Sequence, residues 1–118
     1  MQFLLLIYHP EAEWVQTENS SKEAIYREYR ALAQQLSQAG KLVAGDQLKA
    51  SATAAIVRVR NGKAATIDGP FVETKEQLGG YFLINADDLA DAISIAARIP
   101  SARTGAVEVR EVITRQQV

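Results

Sequence analysis

The sequence predicts an α+β domain, a ferredoxin-like β-α-β-β-β-α-β sandwich in which two helices cover one face of an antiparallel sheet. Three observations support this prediction. Segments with apolar residues at strand spacing alternate with two segments at helical spacing. An Asn61-Gly62 dipeptide joins two strands as a hairpin. The length of 118 residues suits one domain rather than two, so we expect a single domain over residues 1–118.

The first strand is expected over residues 2–8, because Phe3-Leu4-Leu5-Leu6-Ile7-Tyr8 is apolar on both alternating sides. The run is too short to span a bilayer, and it lacks the basic segment of a signal peptide. His9-Pro10 ends the strand because proline cannot donate to the sheet. We expect a loop to follow, carrying Glu11, Glu13 and Trp14.

The first helix is predicted to begin at a capping box formed by Ser20 and Glu23. Its apolar face has the four-three-four spacing of a helix, with Ile25, Tyr29, Leu32 and Leu36. The Ala39-Gly40 pair is typical of a helix end. A short strand then begins at Leu42 and reaches Leu48.

A hairpin is predicted from Thr53 to Ile67, because alternating residues lead into and away from Asn61-Gly62. That dipeptide favours a type I′ turn, in which both central residues have positive φ. The run Asp68-Gly69-Pro70-Phe71 breaks the returning strand.

The remaining elements are a strand, a helix and a final strand. The strand is Leu78 to Ile84, with glycines typical of a bulge. Asp87 or Asp88 caps the second helix. The predicted face of that helix comprises Leu89, Ala92, Ile93, Ala96 and Ile99, and Pro100 ends it. The final strand runs from Ala106 to Val112.

Two helices cover only one face of such a sheet, yet the strands predicted at residues 2–8 and 78–84 are apolar on both sides. The second face therefore needs cover, and a second subunit packed sheet against sheet is the simplest source. We accordingly expect a homodimer through the sheet face.

Composition narrows the classes of function. Thirteen basic residues stand against fourteen acidic ones, so no overall charge favours nucleic acid, and no segment favours a membrane. The chain has no cysteine and one histidine, which excludes disulfides, thiolate-ligated metals and two-histidine metal sites. We expect no metal and no cofactor. The compartment is left open, with the cytoplasm as the default.

The run from Thr66 to Tyr81, TIDGPFVETKEQLGGY, strongly resembles the signature of the YCII-related family in the branch called DGPF. Leu42-Val43-Ala44-Gly45, the segment from Ala96 to Arg103, and Val107-Glu108-Val109-Arg110 extend the resemblance over nearly the whole chain. It implies a dimeric α+β barrel. Members of this branch often look like products of operons that encode alternative sigma factors.

The YCII proper branch resembles an acid–base enzyme that pairs a helix histidine with an aspartate. When the glycine ending its first helix is placed on Gly40, that histidine position falls on Tyr29. Tyrosine, with an ordinary pKa of about 10, is a poor base near neutrality but can donate a hydrogen bond or act as an acid. The resemblance therefore implies only a modified version of that chemistry here.

Three residues are candidates for catalysis. Asp68 can act as a general base or bind a polar ligand, while its alternative role is to form the turn. Tyr29 can act as an acid, although an aromatic residue at that spacing is more often core. His9 is the single imidazole and follows the first strand, where a histidine is usually structural or exposed.

Residues around the tetrapeptide are candidates for ligand binding. They share a turn and a charged loop that can line the mouth of a pocket, and Arg58 can face an anion or the partner subunit: Gly69, Pro70, Phe71, Glu73, Lys75 and Arg58. The alternative is a solvated charge run.

Two classes of function follow. The leading hypothesis is a homodimer whose pocket binds an unknown small polar or anionic molecule, with weak acid–base chemistry of the isomerase or lyase kind. The alternative is a non-catalytic regulatory or interaction module linked to an alternative sigma factor system. Whether the protein is an enzyme is left open.

Overall fold

The computed structural model describes residues 1–72 and 74–114. In chain order the strands and helices are β1 (Gln2–His9), α1 (Glu11–Gln16), α2 (Asn19–Gln38), β2 (Leu42–Gln47), β3 (Ala55–Arg60), β4 (Lys63–Asp68), β5 (Gln77–Asn85), α3 (Leu89–Ala96) and β6 (Ala106–Glu111). Two 3₁₀ turns, Ser51–Thr53 and Pro100–Ala102, precede β3 and β6.

Four strands form the main sheet in the order β2-β5-β1-β6, and every neighbouring pair is antiparallel. β5 lies between β1 and β2, which is the split β-α-β arrangement of the ferredoxin-like fold. The predicted fold class is confirmed. β3 and β4 pair only with each other, as a separate two-stranded sheet.

The core lies between one face of the main sheet and the helices α2 and α3. β1 alternates strictly, so that Phe3, Leu5 and Ile7 are buried while the residues between them are half-buried. Leu36 of α2 and Ile95 of α3 belong to the same apolar cluster. The helices therefore cover this face only.

The opposite face of the main sheet is covered by no second layer among the residues that the structure describes. Leu4, Leu6 and Tyr8 of β1 point to this side, beside Tyr81 and Leu83 of β5. We call these five residues the open face. Their half-burial comes from neighbouring strands and not from a second layer.

The structure corrects the prediction of a loop after Pro10, because α1 forms there. The Pro10 carbonyl accepts hydrogen bonds from the Glu13 and Trp14 amides, each at 3.1 Å. Proline's fixed φ suits a helix start. The predicted capping box is also wrong: α2 begins at Asn19, with Glu18 as its N-cap and no side-chain cap bond.

The predicted face of the second helix is wrong in part. Leu89 and Ile93 are each 52% exposed, whereas Ala92, Ile95 and Ala96 are buried. An apolar helix of eight residues fits the core in more than one rotation, and its small alanines take the close contact. Asp88 is the cap, accepting from the Asp91 amide at 2.8 Å.

The predicted hairpin is confirmed, with β3 beginning at Ala55 after the Ser51–Thr53 turn. Asn61 and Gly62 have φ of 53° and 74°, as a type I′ turn requires. We call residues 55–68 the arm. The radius of gyration is 16.2 Å, against about 13.5 Å expected for a compact chain of this length. The arm thus extends away from the core.

In residues 1–72 and 74–114, every helix is too short or too polar to cross a bilayer.

Candidate functional site

A cavity of about 320 Å³ lies between α2 and the β2-β5 edge of the main sheet. Three of the four tyrosines, the one tryptophan and the one histidine of the chain line it. We call this cavity the aromatic cleft; the rings on its side of the sheet are His9, Trp14, Tyr26, Tyr29 and Phe82, whereas the side chain of Tyr81 lies on the open face. In a chain with 7% aromatic residues, this is a strong local concentration.

The helix α1 brings Trp14 to the mouth of the cleft. The Trp14 ring lies edge-on to Tyr26 of α2, with centroids 5.6 Å apart, and 6.2 Å from His9 at the end of β1. Edge-to-face pairs at these distances attract beyond their apolar burial. The Lys22 ammonium stands 5.4 Å from the same ring. Trp14 is therefore held from several sides.

Glycines make room for the rings on the sheet side of the cleft. A Cβ at Gly79 would lie 2.5 Å from two atoms of the His9 ring, and a Cβ at Gly45 would collide with the Phe82 ring. Both approaches are closer than side chains tolerate. Gly79 thus reflects ring packing, whereas a Cβ at Gly80 would lie 2.9 Å from the Asp46 carbonyl oxygen of β2, the close backbone approach that interior strand glycines allow.

Tyr29 is the most enclosed hydroxyl of the cleft. Its Oη and the Ser101 Oγ share a hydrogen bond of 2.7 Å. Burial raises the pKa of Tyr29 above its ordinary value, although the Ser101 hydrogen bond acts in the opposite direction. Tyr29 is therefore protonated at neutral pH, where it can donate but cannot accept a proton.

Two further polar groups lie on β2, at the edge of the cleft. The Tyr81 hydroxyl donates to Asp46 Oδ2 at 3.3 Å, and the Gln47 amide donates to the Tyr26 hydroxyl at the same distance. Arg30, on α2, is paired with Glu23 at 3.2 Å on the surface. The cleft thus combines apolar rings with one carboxylate, one guanidinium and several neutral donors.

Glu11 connects α1 to the root of the arm. Its carboxylate accepts from both the amide and the hydroxyl of Ser51, each at 2.7 Å. The Glu11 amide donates to the Gln77 side chain at 3.1 Å, at the start of β5. A second, open cavity lies beside these contacts and shares His9 and Trp14 with the aromatic cleft.

Metal-ligating groups do not cluster in the described part of the chain: no three histidine or acidic side chains there lie close enough to hold an ion.

Of the residues predicted from the sequence, His9 and Tyr29 both line the aromatic cleft. Asp68 ends β4 opposite Ala55 and is exposed. Behind it, the Gly69 amide donates to the Ala54 carbonyl at 2.6 Å, closing the base of the arm. The structure therefore does not bring Asp68 and Tyr29 together in one cavity of the same chain.

The other predicted ligand-binding residues also lie away from the aromatic cleft. The Arg58 guanidinium is 5.1 Å from the Phe71 ring, which is 66% exposed. Pro70 is half-buried, and Lys75 is exposed in the loop before β5. Glu73 lies outside the described residues.

Sequence reasoning missed much of the cleft. Trp14 was assigned to a loop, while Asp46, Gln47 and Ser101 were not singled out. Tyr26 follows Ile25 and precedes Tyr29 by three residues, so helical spacing could have placed both tyrosines on one side of α2. The contributions of β2 and the Pro100–Ala102 turn depend on tertiary contacts that no local spacing encodes.

Comparison with known proteins bears on these features. The YCII-related domain matches residues 1–115. An uncharacterized protein of Rhizobium meliloti (strain 1021) is 34% identical over 112 residues, which is 93% of this chain and 90% of the relative. The match spans both the cleft and the arm. The chain therefore belongs to the YCII-related domain family.

Proposed function

We propose that this protein is a homodimer that binds a small, ring-bearing polar or anionic molecule in the aromatic cleft. The observation that supports this is the gathering of His9, Trp14, Tyr26 and Tyr29 around one cavity. Flat ring faces and edges favour another ring by stacking and edge contacts. A volume of about 320 Å³ is at the lower end of the range of small-molecule sites.

The polar groups of the cleft set the chemical class of the ligand. Arg30 supplies a positive charge and Gln47 a neutral amide at the cleft, while Tyr29 can donate from inside. Asp46 already accepts from Tyr81. These donors favour a ligand that carries a hydroxyl or carboxylate on its ring over one that carries an amine.

Weak acid–base chemistry is the catalytic version of this proposal. Tyr29 is the proton donor, because its raised pKa keeps it protonated, and His9 is the acceptor in the same cleft. Asp68 acts in this scheme only if the arm of a second copy presents it. Any part that Asp68 plays in this chemistry therefore depends on the dimer.

A non-catalytic interaction module is the second candidate, and the exposed arm favours it. Val57, Val59 and Ile67 are each about 60% exposed on a projecting hairpin, as in a surface that contacts another protein. The tetrapeptide from Asp68 to Phe71 further supports placement in the DGPF branch. We keep the cytoplasm as the expected compartment.

NMR tests which class of small molecule binds in the cleft, with benzoate, phenol, benzylamine and acetate as probes. Benzoate and phenol are expected to shift the Trp14 indole and Gln47 side-chain signals, because the rings enter the cleft. Acetate tests charge without a ring, and benzylamine tests a ring with the opposite charge. Equal shifts from acetate and benzoate, or shifts confined to residues outside the cleft, would refute the ring-binding proposal.

Catalysis is separated from binding by two conservative variants. Tyr29→Phe removes the hydroxyl of the donor, and His9→Gln removes the imidazole of the acceptor while keeping a polar side chain. Once a turned-over compound is found, each catalytic group should contribute about 10²–10⁴-fold to the rate. Rates within a few-fold of wild type in both variants would exclude the acid–base scheme and favour the interaction module.

A further inference from the structure

We propose that the arm clasps a second copy of this chain, so that its apolar side is buried only in the dimer. The inference rests on the homodimer of the proposed function and adds a contact beyond the open face. It assigns a role to residues 55–68, which the aromatic cleft does not use.

The arm has no core of its own. Every residue of β4 is exposed, and in β3 only Ile56 is half-buried. An isolated two-stranded hairpin is marginally stable in water and needs packing against another element. Within residues 1–72 and 74–114 no helix and no further sheet packs on the arm, so we take the required packing surface to come from another molecule.

The two sides of the arm differ in chemistry. Cross-strand partners share a side, which places Val57 with Thr66 and Val59 with Ala64 on one face. The other face carries the cations, with Arg58 opposite Ala65 and Arg60 opposite Lys63, and near the root it also carries Ile56 opposite Ile67. We call this side the basic face and the Val57-Val59 side, which holds no cation, the apolar arm face. Toward the tip of the arm, the apolar arm face is suited to contact with protein, whereas the cations of the basic face are suited to water.

Exposed apolar residues are concentrated around the arm. Of the thirteen large apolar side chains exposed in the described chain, eight lie from Val43 to Leu78: Val43, Leu48, Val57, Val59, Ile67, Phe71, Val72 and Leu78. This stretch contributes none of the buried apolar residues. One segment therefore carries most of the uncovered apolar surface.

The amount of surface points to a second copy as the occupant. The chain exposes 8389 Å², about 2,100 Å² more than the roughly 6,300 Å² expected of a compact monomer of its mass. Two copies together hold an excess of about 4,200 Å², within the range of about 2,000–5,000 Å² buried in obligate homodimers. A symmetric pair would bury both arms at once.

The arm is fixed at its root, which limits the entropy lost on docking. The Glu11 carboxylate holds Ser51, and the Gly69 amide holds the Ala54 carbonyl. The Glu11 bonds tie the segment before β3 to α1, and the Gly69–Ala54 bond closes the base of the arm. A prepositioned hairpin can dock as a rigid element.

Two adjacent alanines give a matched test. Ala64 lies on the apolar arm face and Ala65 on the basic one, and both are exposed on β4. Ala64→Asp should weaken dimerisation about 100-fold or more by sedimentation velocity, because a symmetric dimer buries the new carboxylate twice. Ala65→Asp should leave it within a few-fold of wild type. Equal effects of the two variants would overturn the proposal.

Two further variants distinguish this inference from the dimer itself. Excising residues 55–68 and joining the hydrogen-bonded Ala54 and Gly69 through an Asn-Gly turn should leave the core folded by circular dichroism and monomeric. Leu6→Asp tests the open face. If the excised chain still dimerises like wild type while Leu6→Asp does not, the clasp is refuted and the homodimer stands. A wild-type monomer at every concentration refutes both.

Discussion

In the main sheet Phe3, Leu5 and Ile84 are fully buried, whereas no residue of the arm is buried. Both regions have regular strands and complete antiparallel pairing. The difference lies in what covers them: α2 and α3 pack on the sheet, whereas in the described part of the chain no helix or further sheet packs on the arm. Hydrogen-bonded strand pairing is therefore a local property, while stability depends on an apolar surface supplied from elsewhere.

The two regions should differ most in the free energy of unfolding that is lost when a large apolar side chain is replaced by alanine. Phe3→Ala should lower the free energy of unfolding by about 3–5 kcal/mol, because it leaves a cavity in the core. Val59→Ala should change it by less than about 0.5 kcal/mol in the monomer, because Val59 is 59% exposed. Urea denaturation of dilute protein measures both. Comparable losses would mean that the arm belongs to the core's cooperative unit.

Two glycines with nearly the same backbone sharpen the comparison. Gly40, after α2, has φ of 72°, Gly62 in the arm has φ of 74°, and a Cβ meets nothing within 4 Å at either. Replacement by alanine strains the backbone by about 1–2 kcal/mol at both. Gly40→Ala should lower the Tm of the core, whereas Gly62→Ala should leave it unchanged and only loosen the arm. Equal Tm losses would contradict this separation.

The Tyr29–Ser101 hydrogen bond ties α2 to the turn before β6, within the core region. Tyr29→Phe and Ser101→Ala should each lower the free energy of unfolding by about 1 kcal/mol. The double variant should lose less than the sum, because both changes remove one bond. Additive losses in the double-mutant cycle would show that the two hydroxyls do not act together.

The raised pKa of Tyr29 also predicts that the protein loses stability at alkaline pH. Burial raises its pKa in the folded protein, so the unfolded state releases this proton first as the pH rises past about 10. The contribution of Tyr29 is fully present below that pH and is lost as the pH rises toward the folded-state pKa. Tyr29→Phe should flatten the alkaline fall in the free energy of unfolding. An unchanged slope in the variant would contradict the assignment.

The smallest expected effect is at the Lys41–Asp91 ion pair, between the β2 end and α3. The Asp87 amide, followed by the Lys41 ammonium, lowers the pKa of Asp91. The Asp91 carboxylate therefore stabilises the folded protein above the ordinary aspartate pKa. This stabilisation is lost as the pH falls through the lower pKa that Asp91 has in the folded state. Asp91→Asn should reduce the Tm slightly at neutral pH. In strong acid it should leave the Tm unchanged, because the Asp91 carboxyl is then protonated in the wild type. Asp87→Asn, which keeps the backbone donor, is the control.

Much of the fold was predictable because local signals and the final structure agree. Short runs that are apolar on both sides identified β1 and β5, and Asn61-Gly62 identified the arm's turn, because these residue types favour a positive φ. The helix α1 was missed because Pro10 was taken only as the end of a strand, although it also starts a helix. The rotation of α3 was missed because Leu89 and Ile93 are apolar but remain exposed.

The candidate site was less predictable, because it is assembled from separate segments. His9 and Tyr29 were found from residue type, yet Asp46, Gln47 and Ser101 reach the same cleft through sheet pairing and a turn far along the chain. The tetrapeptide drew attention to Asp68, which lies at the arm's base instead. Local spacing cannot reveal which distant segments meet.

Amide hydrogen exchange followed over a dilution series tests the central difference between core and arm most directly. Core amides of β1 and β5 should stay protected at every concentration, because α2 and α3 cover them in each chain. Arm amides of β3 and β4 should be protected in concentrated protein and lose that protection as dilution separates the copies. Arm protection that persists in demonstrably monomeric protein would contradict the account.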